Sequence, residues 1–283
     1  MKTFNMDIDK IQPTQLYINK KKLNKIRKLN KKNSNPIPVK KIGSHIFYTD
    51  GHTRALNNYF NGETSIKVYW DTDNLDWYSY LICLNWANEE KIYTIKNLEN
   101  RIISNEKYKE LWLNKCTELH EKINANKHYK LNIKIINNKN IKQKIASEIL
   151  KALPEWFGIE EALKDYVEGV KDKVLFAAFI GQIPVGFFSI KEHNKFTNEL
   201  YVLGIYKEFH NHGIGKKLLK ESISYSHKQE KKYLTVKTLS KSHPDNNYAK
   251  TRIFYEKMGF KPLEEFKNLW SPENPCLYMI KNL

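Results

Sequence analysis

The residues best suited to chemistry form one short run, His-Asn-His-Gly-Ile-Gly at 210–215, between an apolar strand pattern and an amphipathic helix pattern. Gly213 and Gly215 have no side chains, so the backbone of this turn can approach a ligand closely. Ile214 and Leu218 begin a helical repeat, and the first N–H groups of a helix have no partners within it. The pattern therefore predicts a strand, a tight turn and a helix whose start binds an anion such as a pyrophosphate.

A second motif, Phe-Tyr-Glu-Lys-Met-Gly-Phe at 254–260, follows about forty residues later. Together the two motifs resemble the GNAT superfamily of acetyl-CoA-dependent N-acetyltransferases, with His210 in place of the usual first residue of the pyrophosphate loop. The resemblance covers residues 130–283. It implies transfer of an acetyl group from acetyl-CoA to a primary amine, by direct attack in a ternary complex and without a metal. The sequence does not identify the acceptor, which is a small molecule or a peptide.

The resemblance also implies which residues hold acetyl-CoA. The strand before the loop splays from its neighbour in this superfamily, and its free backbone groups bind the pantetheine arm. Gly204 is expected to permit the irregular backbone there, and Asn247, eight residues before Tyr255, is expected to contact CoA. The residues predicted to bind the cosubstrate are Leu203, Gly204, Ile205, His210, Asn211, His212, Gly213, Ile214, Gly215, Lys216 and Asn247.

Two residues match catalytic positions of the superfamily. Tyr255 corresponds to the tyrosine that acts as general acid near the CoA sulfur, and the alternative is an aromatic residue packed on its helix. Glu199 corresponds to a general-base glutamate, while the alternatives are an exposed carboxylate and a base role carried by water. Strand alternation predicts that Glu199 shares a face with Tyr201. Trp156 and Phe157 match the acceptor side of the site.

The first part of the chain carries another motif, with Gly51, His52, Thr53 and Arg54 after a strand pattern. This segment resembles the ParB/sulfiredoxin-like domain over residues 7–71, whose Gly-x-x-Arg turn holds nucleotide phosphates. The resemblance implies a nucleotide or a nucleic acid as ligand. A motif cysteine and a helix-turn-helix pattern are missing, and a purely structural ion pair of Arg54 is the alternative.

Composition limits the remaining interpretations. The formal net charge is +17, and the block Lys20 to Lys41 carries ten Lys or Arg and no acid, which suits a polyanion or a solvated segment. Cys83, Cys116 and Cys276 are scattered, so we expect reduced, buried thiols and neither a disulfide nor a metal. No membrane-spanning run or signal-peptide pattern is visible, which predicts a cytoplasmic protein with no membrane partner.

These motifs require two domains of the α/β (α+β) class. We predict a ParB-like α+β domain with a helical extension at 1–126, a linker at 124–130, and a GNAT fold with a mixed central sheet at 130–283. The predicted element order from residue 130 is β-α-α-β-β-β-α-β-α-β-β. The alternatives to an acetyltransferase are a non-catalytic acyl-CoA sensor and a nucleotide- or nucleic-acid-binding regulatory protein.

Overall fold

The computed structural model describes residues 2–28 and 35–283, and the chain divides into two units. The first comprises Met1–Leu131 with Ile180–Ile183, and the second comprises Asn132–Phe179 with Pro184–Leu283. Residues 29–34 of the predicted basic block lie outside the described residues. All three cysteines are free, but Cys116 is only half-buried, so the expectation of burial was wrong for that thiol.

The first unit is an α+β arrangement. Its elements are β1 (Thr3–Asp7), β2 (Ile18–Asn19), α1 (Lys20–Lys28), β3 (Ile37–Ile42), β4 (His45–Tyr48), α2 (His52–Phe60), β5 (Ser65–Trp70), α3 (Trp77–Glu89), β6 (Ile102–Ile103), α4 (Asn105–Tyr108) and α5 (Asn114–Ala125). A four-stranded sheet has the order β1-β5-β3-β4, and β2 pairs with β6. Gly51 ends the β4–α2 turn with φ of +79°, a conformation that favours glycine.

Side-chain caps mark the starts of the helical segments that follow α3 in the first unit. Thr94 and Asn97 form a capping box at the start of the 3₁₀ segment Ile95–Arg101. The Ser104 hydroxyl accepts a hydrogen bond from the Lys107 N–H, and α4 and α5 then follow each other through one π turn.

The second unit follows the predicted element order. Its elements are β7 (Leu131–Ile136), α6 (Lys139–Lys151), α7 (Glu160–Gly169), β8 (Val174–Ile180), β9 (Ile183–Asn194), β10 (Thr197–Ile205), α8 (Ile214–Lys228), β11 (Tyr233–Leu239), α9 (Asn246–Lys257), β12 (Lys261–Ser271) and β13 (Asn274–Asn282). The seven strands form one mixed sheet with the order β12-β13-β11-β10-β9-β8-β7. The prediction of a mixed α/β unit with this sheet is confirmed.

The sheet of the second unit contains strands of buried apolar residues. Residues of β8, Val-Leu-Phe-Ala-Ala-Phe-Ile, are mostly buried, as expected for a strand covered on both faces.

Asp245 begins α9, because its carboxylate accepts hydrogen bonds from the backbone N–H groups of Asn247 and Tyr248, at 2.8 and 2.7 Å. Arg252 of α9 donates hydrogen bonds to the carbonyl oxygens of Leu239 and Ser240, at 2.8 and 3.2 Å, which ties the helix to the end of β11.

Candidate active site

The sheet opens between its two parallel strands. β10 pairs with β11 only over Thr197–Leu200 and Tyr233–Val236. Beyond that point β10 remains paired with β9 as far as Ile205, and β11 remains paired with β13 as far as Leu239. From Tyr201 and Lys237 onward, β10 and β11 are therefore no longer paired through their backbones. The N–H and C=O groups on these two edges are left for an extended ligand.

The predicted anion loop follows the open end of β10. The Nε2 atom of His210 lies 2.8 Å from the carbonyl oxygen of Ile205, which ties the loop to the strand end. Asn211 and Gly213 both have positive φ, +65° and +76°. Gly213 supplies no side-chain cap to α8, so the first N–H groups of that helix are available to an anion. Lys216, in the same turn, is exposed and adds positive charge.

The open strands and the loop line one cavity of about 850 Å³. It receives side chains from α9 and from the segment between α6 and α7. Predicted residues that line it are Trp156, Phe157, Leu203, Gly204, Ile205, His210, Asn211, Gly213, Ile214, Gly215, Lys216, Asn247 and Tyr255. His212 and Glu199 are not among its lining residues in the described structure.

Tyr255 lies on α9 with a side chain that is 3% exposed yet borders the cavity. Its ring packs against Phe254 and Phe260, with centroids 5.5 and 5.7 Å away. Burial, followed by the nearby Tyr248 and Tyr166, raises the pKa of its hydroxyl far above the ordinary value. The hydroxyl is therefore protonated at neutral pH, as a proton donor must be.

Glu199 is buried on β10, and its carboxylate contacts the side chains of Lys237 and His193. Both carboxylate oxygens accept hydrogen bonds from the Lys237 ammonium, at 3.0 and 2.9 Å, and Oε2 also contacts Nε2 of His193. Its side chain is 4% exposed, whereas that of Lys237 is 26% exposed and lines the cavity. Of these two residues, Lys237 lines the cavity in the described structure and Glu199 does not.

Gly204 has a different role from the one expected. It lies in regular strand pairing opposite Phe187, and the two register shifts between β10 and β9 fall between Thr197 and Asn198 and between Leu200 and Val202 instead. A Cβ atom at Gly204 would lie 3.0 Å from Cγ2 of Ile149 on α6. This glycine therefore allows α6 to pack closely on the strand, and it does not provide an irregular backbone.

Several cavity residues were missed by sequence reasoning. Tyr166 of α7, Tyr201 and Tyr248 form an aromatic lining with the predicted Trp156 and Phe157. The Tyr248 hydroxyl donates to the Trp156 carbonyl oxygen at 2.9 Å, and Trp156 Nε1 donates to Thr251 at 3.1 Å. Only Tyr201 carried a signal, because strand alternation predicted that it shares a face with Glu199.

The motif of the first unit borders a smaller cavity of about 280 Å³. Gly51, His52, Thr53 and Arg54 all line it, together with Lys22 and Lys25 of α1. The guanidinium of Arg54 donates to the carbonyl oxygens of Asn35 and Pro36, at 3.2 and 3.4 Å, and lies 3.7 Å from Asp50. Arg54 thus has structural partners, and the two lysines belong to the basic block Lys20 to Lys41.

His52 is the buried polar group of this cavity. Its Nε2 accepts a hydrogen bond from the backbone N–H of Thr14 at 3.0 Å, so the proton resides on Nδ1. Within the described structure, this Nδ1 is buried and has no hydrogen-bond partner. Burial lowers the pKa of His52 to about 4, more than the nearby Asp50 raises it.

Comparison with known proteins agrees with the fold of the second unit. Residues 171–262 match the family model of the acetyltransferase (GNAT) domain. This match supports a GNAT acetyltransferase domain in that stretch of the chain. It does not extend to residues 7–71, where the resemblance to ParB/sulfiredoxin-like domains stays a prediction.

Solved structures similar to this chain include a GNAT-family protein from Desulfovibrio desulfuricans, 14% identical with a TM-score of 0.47 over 54% of this chain and 98% of the other. A GNAT acetyltransferase from Elizabethkingia anophelis with acetyl-CoA bound is 19% identical, with a TM-score of 0.43 over 54% and 99%. An aminoglycoside 6'-N-acetyltransferase from Enterococcus faecium is 18% identical, with a TM-score of 0.43 over 53% and 96%. A search of curated proteins found no match.

Two further properties concern the described residues as a whole. Across residues 2–28 and 35–283, no three His, Cys, Asp or Glu side chains are grouped as metal ligands. None of the helices in the same ranges combines the length and the apolar character needed to cross a membrane.

Proposed function

We propose that the chain transfers an acetyl group from acetyl-CoA to a primary amine, by direct attack in a ternary complex within the second unit. The observation that carries this proposal is the common cavity of the unpaired strand edges and the α8 loop. The loop amides suit the pyrophosphate, and the strand edges suit the amide groups of the pantetheine arm. Domain limits of 1–126 and 130–283 are part of the proposal.

The chemistry follows from the cavity's own groups. The amine nitrogen forms a bond to the thioester carbonyl carbon, and the carbon–sulfur bond breaks with its electron pair on sulfur. The protonated hydroxyl of Tyr255 supplies the proton that the thiolate needs, and the proton released by the amine replaces it. Since Glu199 does not line the cavity, we propose that it positions Lys237; its role as general base stays a prediction.

A charge-matched pair of variants on α8 tests the placement of acetyl-CoA. Gly215→Glu introduces a carboxylate into the cavity lining, where even a Cβ atom would lie 3.2 Å from the Phe254 ring. Ser224→Glu adds the same charge at an exposed position outside the lining. Calorimetry with acetyl-CoA should show binding essentially lost in Gly215→Glu and retained in Ser224→Glu, with unchanged circular dichroism in both. Equal affinities would refute the site.

Turnover distinguishes the enzyme from a non-catalytic acyl-CoA sensor. Release of CoA thiol is followed with acetyl-CoA and a panel of amines and peptides. A sensor would bind acetyl-CoA with the same dependence on Gly215 but release no thiol above the hydrolysis rate with any acceptor.

A second candidate function belongs to the first unit: we propose that its cavity binds a phosphate-bearing ligand, a nucleotide in preference to a nucleic-acid backbone. Lys22 and Lys25 line the cavity together with the start of α2, and so does His52, whose buried Nδ1–H has no hydrogen-bond partner in the described structure. The small volume of about 280 Å³ favours a single phosphate group or nucleotide over an extended backbone.

Salt dependence separates these two ligands. The full chain is titrated with a nucleoside triphosphate and with duplex DNA at two salt concentrations. A backbone binder that neutralises several phosphates loses affinity steeply with salt, whereas a single-nucleotide site responds weakly. Lys25→Glu should weaken nucleotide binding, and Lys21→Glu, an exposed change outside the lining, should not. If neither ligand binds, the Gly51–Arg54 turn is structural.

A further inference from the structure

The end of the cavity away from the anion loop lies where strand pairing stops. Tyr201 and Lys237 are the first residues of β10 and β11 beyond the last paired positions, Leu200 and Val236. Both line the cavity, whereas the anion loop begins after Ile205, at the opposite end of the unpaired stretch of β10. If acetyl-CoA enters from the loop, its acetyl end points towards Tyr201 and Lys237. This inference therefore rests on the proposed function.

Three aromatic rings build the wall at this end. The ring of Phe157 meets that of Tyr166 at 5.8 Å, and Tyr166 meets Tyr201 at 5.6 Å, both in edge-to-face geometry. The Lys173 ammonium lies 4.0 Å from the centre of the Tyr201 ring, and the Tyr201 hydroxyl donates to the Asp165 carbonyl oxygen at 3.4 Å. Mutual packing fixes the rings, so they present a preformed apolar surface to a flat group.

Most of the charged side chains that line the cavity are positive. Five lysines line it, Lys207, Lys216, Lys237, Lys250 and Lys257, whereas Glu155 is its single acidic lining residue in the described structure. Glu155 is already paired with Lys207. An acceptor with several ammonium groups would therefore find no unpaired carboxylate here and would be repelled. An acceptor with a carboxylate would be attracted.

Lys237 is the cation at the acceptor end. Its ammonium directs two hydrogen bonds to the buried Glu199 and lies 5.2 Å from the centre of the Tyr278 ring, while its side chain remains 26% exposed and lines the cavity. The same two bonds hold the ammonium in place, so a carboxylate bound there would sit at a defined distance from the strand edges.

We propose that the acceptor is a primary amine that carries one carboxylate and a flat aromatic body, the chemical class of the aromatic α-amino acids. The aromatic body packs on Phe157 and Tyr166, and the carboxylate pairs with Lys237. The amine, attached next to the carboxylate, then faces the acetyl group. Polycationic amines such as aminoglycosides are excluded by charge.

Four acceptors test the proposal with acetyl-CoA saturating and CoA release as readout: phenylalanine, phenethylamine, alanine and kanamycin. Phenylalanine should exceed phenethylamine in kcat/KM by about tenfold or more, as one charge-assisted hydrogen bond predicts. It should exceed alanine by about fivefold or more because of ring packing. Kanamycin should give no rate above hydrolysis. A preference for kanamycin, or equal rates for phenylalanine and phenethylamine, would overturn the proposal.

Variants assign the effects to residues. Lys237→Met should bring the kcat/KM values for phenylalanine and phenethylamine close to each other. Lys232→Met changes an exposed lysine outside the lining and should preserve the ratio of these two values. The ratio is measured within one variant, so a general loss of stability cancels. Tyr166→Leu should reduce the ratio of kcat/KM for phenylalanine to kcat/KM for alanine, because the KM for phenylalanine rises. A ratio unchanged in Lys237→Met would refute the carboxylate contact.

Failure of this inference is distinguishable from failure of the proposed function. If acetyl-CoA binds and a different amine class is acetylated, the acceptor class is wrong and the acetyltransferase stands. If acetyl-CoA binds and no amine is acetylated, the acceptor class is also rejected. If acetyl-CoA does not bind, the proposed function is refuted, and the acceptor class that rests on it is refuted as well.

Discussion

Acidification should weaken the first unit through one buried histidine. His52 is 2% exposed, and its Nε2 accepts a hydrogen bond from Thr14. Burial lowers its pKa from 6.5 to about 4, because the charged imidazolium would lose its hydration; Asp50 opposes this shift only in part. The unfolded chain therefore binds a proton at His52 more readily than the folded chain does.

The sign and size of the effect follow from these two pKa values. Since the pKa is lower in the folded state, the stabilisation is fully present above pH 6.5 and is lost as the pH falls towards 4. The difference corresponds to roughly 3 kcal/mol of unfolding free energy in total, of which about 2 kcal/mol is lost by about pH 5.

Hydrogen exchange of the full chain in increasing urea measures this locally, with correction for intrinsic exchange rates. Peptides from α2 (His52–Phe60) report the first unit, and peptides from α8 in the second unit are the internal control. Wild type and His52→Gln are compared at about pH 7.5 and about pH 5. The glutamine variant should lose about 2 kcal/mol less on acidification, whatever its absolute stability. The same acid loss in both proteins would refute the reasoning.

Three further predictions concern the second unit. Tyr255→Phe should lower kcat by roughly 10²-fold with unchanged acetyl-CoA affinity, measured by CoA release and calorimetry, and full activity would remove Tyr255 as the acid. Glu199→Gln leaves the Lys237 ammonium without its charged partner, so we expect unfolding in urea to require about 3 kcal/mol less, together with a raised KM for the acceptor. If the Glu199→Gln variant instead keeps the wild-type kcat at high pH and loses it steeply only at low pH, Glu199 acts as the base. Gly204→Val should cost about 1–3 kcal/mol of stability, because its side chain collides with Ile149, and an unchanged melting temperature would contradict that packing.

Much of the second unit could be predicted from local patterns. Gly213 needs a positive φ, the apolar repeat after it needs a helix, and the run of β8 needs a buried strand, so each of these segments carries its own signal. The order of elements from residue 131 follows from such signals alone. The predicted loop residues line the cavity with the exception of His212, because neighbours in sequence remain neighbours in a tight turn.

The contacts between distant segments carried no such signal. Nothing in the neighbourhood of Glu199 indicates that its carboxylate is held by Lys237 of the next strand, because that contact depends on the register of β10 and β11. The basic block Lys20 to Lys41 indicated positive charge, but not that Lys22 and Lys25 are the lysines that line one cavity with the Gly51 turn.

The sequence by itself determined that this chain has a strand, a glycine turn and a helix suited to a pyrophosphate, because glycine conformations and helical repeats are local properties. Only the tertiary structure decided which side chains share a cavity with that turn. It placed Tyr255 and Lys237 on the cavity lining and kept Glu199 off it. The reason is physical: pairing of β10 with β11 ends at Leu200 and Val236, and a register between strands is set by the packing of the whole sheet.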